Sequence, residues 1–328
     1  MIKSLFVMLL FCVVLVADIL IIQTGQDKSY NTMGDEILDE SLKDDGYYQE
    51  GLERNQTSNR DIDGNLIVLD NVTKLEWQDT KYPVFKSTPE EGRAYCASLD
   101  LHGSNWRMPT VNELESIRNL NYTYPAIGLE FTNYPNQAIL TDTLNTQNND
   151  EFWRINEIGN SVLYDEGAYI RCVRGDALDE DQGQYIRNAN TIYNEKSNLT
   201  WLDSTDIAEQ YLNWEEAIEY CETVSFAGTE DWRLPNINEL ITIADRSKYP
   251  ATDTSYFKNM LINAPVWSST TYAGNYKTQA KYFYPSTGAV ANRNKDEGID
   301  EHLICVRTGE ISLLNINFLP SIIFFVLH

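Results

Sequence analysis

Trp106-Arg107-Met108-Pro109-Thr110-Val111-Asn112-Glu113-Leu114 is written a second time, as Trp232-Arg233-Leu234-Pro235-Asn236-Ile237-Asn238-Glu239-Leu240. The copies stand about 125 residues apart, the span of a domain rather than the ~20–50 residues of a solenoid unit. Other segments keep that offset. Leu75-Glu76-Trp77-Gln78-Asp79 answers to Leu199-Thr200-Trp201-Leu202-Asp203, and Tyr124-Pro125-Ala126 to Tyr249-Pro250-Ala251. Cys172-Val173-Arg174-Gly175 answers to Cys305-Val306-Arg307-Thr308-Gly309, and one cysteine precedes each Trp-Arg motif, Cys96 and Cys221. The chain therefore holds two copies of one module, at 61–175 and 184–309, joined by an acidic linker at 176–183.

With 328 residues, 7 Trp and 20 Tyr, each copy can bury a core of its own, despite a formal charge of −24. That charge excludes an electrostatic nucleic-acid binder, which needs a basic face to displace counterions. It also argues against sulfated polysaccharides and anionic lipid surfaces as partners.

Residues 1–22 read as an export signal: Lys3 gives the positive end, Leu5 to Ala17 the apolar run, and Leu15-Val16-Ala17 the cleavage site. Uncut, the same stretch is an N-terminal membrane anchor, the chain's one contact with a membrane. Either way the rest lies outside the cytoplasm, in the periplasm or on the cell surface. Residues 23–60 are polar and acidic and read as a tether, with a short helix near Ile37 to Leu42. Residues 310–328 are an apolar tail whose role the sequence leaves open.

Four cysteines in an oxidising compartment allow three pairings, and the repeat selects Cys96–Cys172 with Cys221–Cys305. Loops of this length, closed by a bridge, stabilise each module by roughly 4 kcal/mol. Four capping signals predict four helices. Thr88-Pro89-Glu90-Glu91 and Asn213-Trp214-Glu215-Glu216 open the two that carry Cys96 and Cys221; Thr110 with Glu113 and Asn236 with Glu239 open the other two. Strands are expected at Leu66–Leu69, Thr191–Tyr193, Ala168–Val173 and His302–Val306. Each module is thus an α+β unit of two helices, a small antiparallel sheet and long loops.

The Trp-Arg-(Leu/Met)-Pro-x-x-Asn-Glu-Leu motif, the upstream Leu-x-Trp-x-Asp, Trp267-Ser268-Ser269-Thr270 and the closing Cys-Val-Arg-Gly resemble the Lcl C-terminal domain family, named after a bacterial adhesin. The resemblance covers both copies. It implies two tandem C-type-lectin-like modules, each with one helix-to-last-strand disulfide, and a surface or adhesion role.

Trp77, Trp106, Trp201 and Trp232 recur in both copies and are expected in the core; Arg107 and Arg233 are expected to pair with Glu113 and Glu239. The ligand-binding candidate is Trp267, Ser268, Ser269, Thr270 and Tyr272, where an aromatic ring and hydroxyls combine as saccharide recognition requires. The first copy has Ile139-Leu140-Thr141-Asp142-Thr143 there, without the ring. Asp61, Asp63, Asn65 and Asp70 sketch a calcium loop, but Gly64 stands fourth rather than sixth and a tight turn fits better. No other metal site and no cofactor is expected. Nucleophile elbow, phosphate loop and dinucleotide fingerprint are missing from the sequence. The reading is a non-catalytic exported binding or adhesion protein, recognising a saccharide or surface protein through the loop-rich half of the second module. A structural envelope spacer and a formylglycine-generating type of enzyme are the alternatives.

Overall fold

The computed structural model describes residues 19–60, 66–145, 147–148, 151–178, 182–226, 228–272, 274, 276–297 and 302–309. Residues 1–18 of the export signal, Asp61, Asp63, Asn65 and the apolar tail lie outside these residues. The chain opens with β1 (Ser29–Tyr30), β2 (Glu36–Ile37) and a one-turn helix α1 (Asp45–Tyr48). Module one follows with β3 (Gln56–Arg60), β4 (Leu66–Asp70), β5 (Glu76–Asp79), β6 (Val84–Lys86), α2 (Pro89–Ser98) and α3 (Val111–Ser116). It continues with β7 (Ile139–Leu144), β8 (Phe152–Ile155), β9 (Ser161–Tyr164), β10 (Ala168–Ile170) and β11 (Val173–Arg174). Module two has β12 (Tyr185–Asn188), β13 (Thr191–Asn194), β14 (Leu199–Leu202), α4 (Thr205–Ala208), α5 (Trp214–Thr223) and α6 (Ile237–Ile241). It ends with β15 (Val266–Thr271), β16 (Gln279–Tyr284), β17 (Ala289–Asn294) and β18 (Cys305–Thr308).

Each module is α+β with two sheets rather than the single small one expected. In module one the orders are β11-β5-β4-β3 and β6-β10-β7-β8-β9; in module two, β12-β13-β14-β18 and β15-β16-β17. Pairing is antiparallel except where β10 runs parallel to β7. The last strand of module one is split, because Arg171 and Cys172 break the run between β10 and β11.

The caps form as their chemistry requires. The Thr110 hydroxyl accepts from Glu113 N at 3.2 Å, and Glu113 returns a bond from Thr110 N at 2.9 Å. The same carboxylate holds Arg107 bidentately at 2.6 and 2.7 Å. In module two, Glu239 holds Arg233 at 2.6 and 2.7 Å. Trp77, Trp106, Trp201 and Trp232 are buried. Disulfides join Cys96 of α2 to Cys172, just before β11, and Cys221 of α5 to Cys305, which opens β18.

The modules meet through reciprocal contacts. Arg118 donates to Gly159 O in its own module at 2.9 Å and to Asn238 across the boundary at 3.1 Å. Arg246 donates to Gly288 O at 2.9 Å and to Asn112 across the boundary at 2.7 Å. Gly159 and Gly288 have φ of 76° and 79°, which glycine adopts without strain and which aims each carbonyl at its arginine. Glu115 breaks the symmetry: it takes both Arg246 amino groups at 2.8 Å and lies 3.6 Å from Arg118, where module two has Ile241. Burial pushes the Glu115 carboxyl up, but Arg246 and Arg118 outweigh it and hold the group below its ordinary range.

The segment read as a tether is part of the folded body. Asn238 holds Ile22 O at 2.7 Å, Leu120 N donates to Thr24 O at 2.7 Å, and Arg54 reaches Ser116 O at 3.1 Å, so this strap contacts both modules. Its one helix is α1 rather than a turn near Ile37 to Leu42; Asp44 caps it by accepting from Tyr47 N.

Candidate functional site

Trp267, Ser268, Ser269, Thr270 and Tyr272 do not reach solvent. Trp267 is 0 % exposed and packs among Trp214, Trp232, Leu303 and the Cys221–Cys305 bridge, with Nε1 donating to Leu212 O at 3.2 Å. The hydroxyls serve the interior: Ser268 donates to Lys281 O at 2.8 Å, and Thr270 accepts from Ile237 N at 3.0 Å. A ring enclosed this way cannot stack on a ligand, so the expected binding site becomes a core strand.

The strap explains the polarity of that strand. The Gln26 amide pairs with both backbone groups of Thr271, donating to its O and accepting from its N, each at 2.8 Å. The buried Asp45 carboxylate accepts from Thr24 at 2.6 Å and Thr270 at 2.8 Å. Asp44 faces Ser29, and Lys295 donates to Tyr30 O at 2.5 Å and Thr271 Oγ1 at 2.8 Å, beneath the Trp214 ring. Glu215 accepts from Thr32, and Glu239 lies near enough to raise Asp45 further.

Burial pushes the Asp45 carboxyl up to about 7 and Asp44 up to about 6, and pushes the Lys295 ammonium down. Carboxyls raised in the seated state favour seating below their free value of about 3.9, and that stabilisation is lost as pH rises through 6 and 7. Lys295 acts oppositely and at higher pH, where seating weakens as pH falls from 10.5. Between pH 7.5 and 5.5 the carboxyls dominate. Strap opening, read by hydrogen exchange corrected for intrinsic rates, should therefore be about tenfold rarer at pH 5.5. More frequent opening in acid would contradict this.

A solvent-open groove lies instead on module one. It encloses about 700 Å³ beside the five-stranded sheet, lined by Phe85, Asn136, Gln137, Arg154, Asn156, Glu157, Tyr164, Glu166 and Tyr169. The pairings Tyr169–Phe85, Tyr169–Ile139 and Ile139–Ile155 put Phe85 and Tyr169 on one face of the sheet, while Leu140–Arg154 and Phe152–Tyr164 put Arg154 and Tyr164 on the other. Phe85 is 54 % and Tyr164 45 % exposed, and Phe85 meets Tyr169 edge to face at 5.8 Å. The Arg154 guanidinium lies over Tyr164, 3.6 Å from the ring centroid. Its Nε is buried without a hydrogen-bond partner. Aromatic rings from one face of the sheet, a guanidinium from the other and several amides thus line one groove.

The sequence expectation missed this site. Phe85, Arg154 and Tyr169 come from three segments that only the sheet brings together. One signal was present: Arg154 sits in a strand whose counterpart in module two carries Tyr282, so the copies differ there. Asp70, from the calcium expectation, accepts from Val72 N at 2.8 Å and Thr73 N at 3.1 Å and shapes a turn. Among the described residues no group of three or more His, Cys, Asp or Glu is placed to hold a metal ion. No described helix is long and apolar enough to cross a membrane.

Paired disulfide-bridged α+β modules with buried Trp-Arg motifs define a tandem-module protein. The chain belongs to the Lcl C-terminal domain family, whose model matches residues 66–174 and 190–307. No curated protein and no solved structure matches it.

Proposed function

We propose that this chain is an exported, non-catalytic recognition protein that binds a saccharide through the module-one groove. In this reading both modules are C-type-lectin-like scaffolds, and module two, with the strap seated on it, supports module one. One observation carries it: exposed Phe85 and half-buried Tyr169 line one groove with Arg154, Asn136, Gln137 and Asn156. Aromatic faces cover the C–H side of a sugar ring, while amides, carboxylates and a guanidinium meet its hydroxyls. All four module cysteines are bridged, which leaves no module thiol for cysteine-based catalysis.

The test is a glycan array probed with the full chain and with Phe85→Ala and Tyr169→Ala. Each variant should weaken the strongest signal by about 1–3 kcal/mol, or roughly 5- to 140-fold, without changing the melting temperature. Binding that survives both substitutions would move the site elsewhere. Silence across glycan and protein arrays would favour an envelope spacer.

A further inference from the structure

Arg154 carries information beyond the presence of a groove. Every other arginine whose side chain is described has an acceptor oxygen: Arg118 and Arg246 share Glu115, Arg171 has Asp79, Arg187 has Asp203. Arg154 has none among the described residues, and its Nε is enclosed without a partner. In a chain of formal charge −24, an arginine with no described acceptor is out of keeping with its other arginines. The Tyr164 ring centroid lies 3.6 Å from the guanidinium carbon, a contact that holds the fork in place before any ligand arrives.

We propose that Arg154 selects a saccharide bearing one isolated carboxylate, a single uronic acid among neutral sugars, seated bidentately on the guanidinium. This rests on the groove being the saccharide site. A charged fork matches a carboxylate with two parallel hydrogen bonds, and such charge-assisted pairs are stronger than neutral ones. Glu157 and Glu166 line the same groove and accept from hydroxyls while repelling a second anion. The acidic body repels a polyanion over its whole length, whereas one carboxylate at Arg154 lies within a Debye length, about 8 Å at physiological salt, of its partner. The site therefore suits a sparsely charged sugar chain and rejects a densely charged one.

Calorimetry of the full chain tests this with three pairs of disaccharides from the gluco, manno and galacto series, each neutral sugar against its single-uronate form. In at least one series the uronate should bind tenfold or more tightly than its parent. Arg154→Met should abolish that preference, Arg154→Lys should keep part of it, and the melting temperature should not move. Oligogalacturonate should bind more weakly than the single uronate at low salt and approach it as salt rises. Equal binding of parent and uronate, still lost in Phe85→Ala, would overturn the role of Arg154 and leave the groove intact. Binding of none of the six would overturn both.

Discussion

Replacing Trp267 by alanine should destabilise module two by about 3–5 kcal/mol and leave saccharide affinity unchanged. The ring is fully enclosed by Trp214, Trp232, Ala280 and the Cys221–Cys305 bridge, so its removal opens a cavity that disulfide-linked neighbours fill poorly. The indole N–H bond to Leu212 O is lost as well, leaving a buried carbonyl unpaired. Calorimetric melting reads the first effect and the glycan array the second. A variant that melts normally but no longer binds would restore Trp267 as a contact residue.

Glu115→Ala should cost a similar amount, about 3–5 kcal/mol, because it strands Arg246 and Arg118 in the interior without their counter-charge. Both arginines are almost fully buried, and Asn112 and Asn238 offer them only neutral oxygens. The loss should appear as uncoupling: one cooperative melting transition in the native chain, and two separated transitions in the variant. Ile241 occupies the aligned position in module two, so Ile241→Ala removes apolar contact without exposing a charge and should not separate the transitions. A single undisturbed transition in Glu115→Ala would show that the modules are held together by other contacts.

Features governed by short-range rules were legible in the sequence. Thr110 with Glu113 and Asn236 with Glu239 cap their helices because a hydroxyl or amide three residues before a carboxylate can do little else. The cysteine pairing followed from the repeat. The strap was not legible, because its stability lies in pairings such as Gln26 with Thr271 and Asp45 with Thr270, more than 200 residues apart in the chain. By composition those side chains read as solvated; in the fold they are the hydrogen-bond partners of a buried strand. Trp267-Ser268-Ser269-Thr270 misled for the same reason, since hydroxyls that suggested a sugar edge satisfy the strap and the core. The groove escaped notice because Arg154 gains meaning only when Tyr164 lies against it and no described carboxylate pairs with it.

Hydrogen exchange of the full chain with and without its tightest-binding disaccharide decides between the two modules. Protection should concentrate in 136–139, 152–157 and 163–169, the segments that line the groove, with 266–272 unchanged. Protection confined to 266–272, with none around Arg154 and Tyr169, would contradict the assignment of recognition to module one.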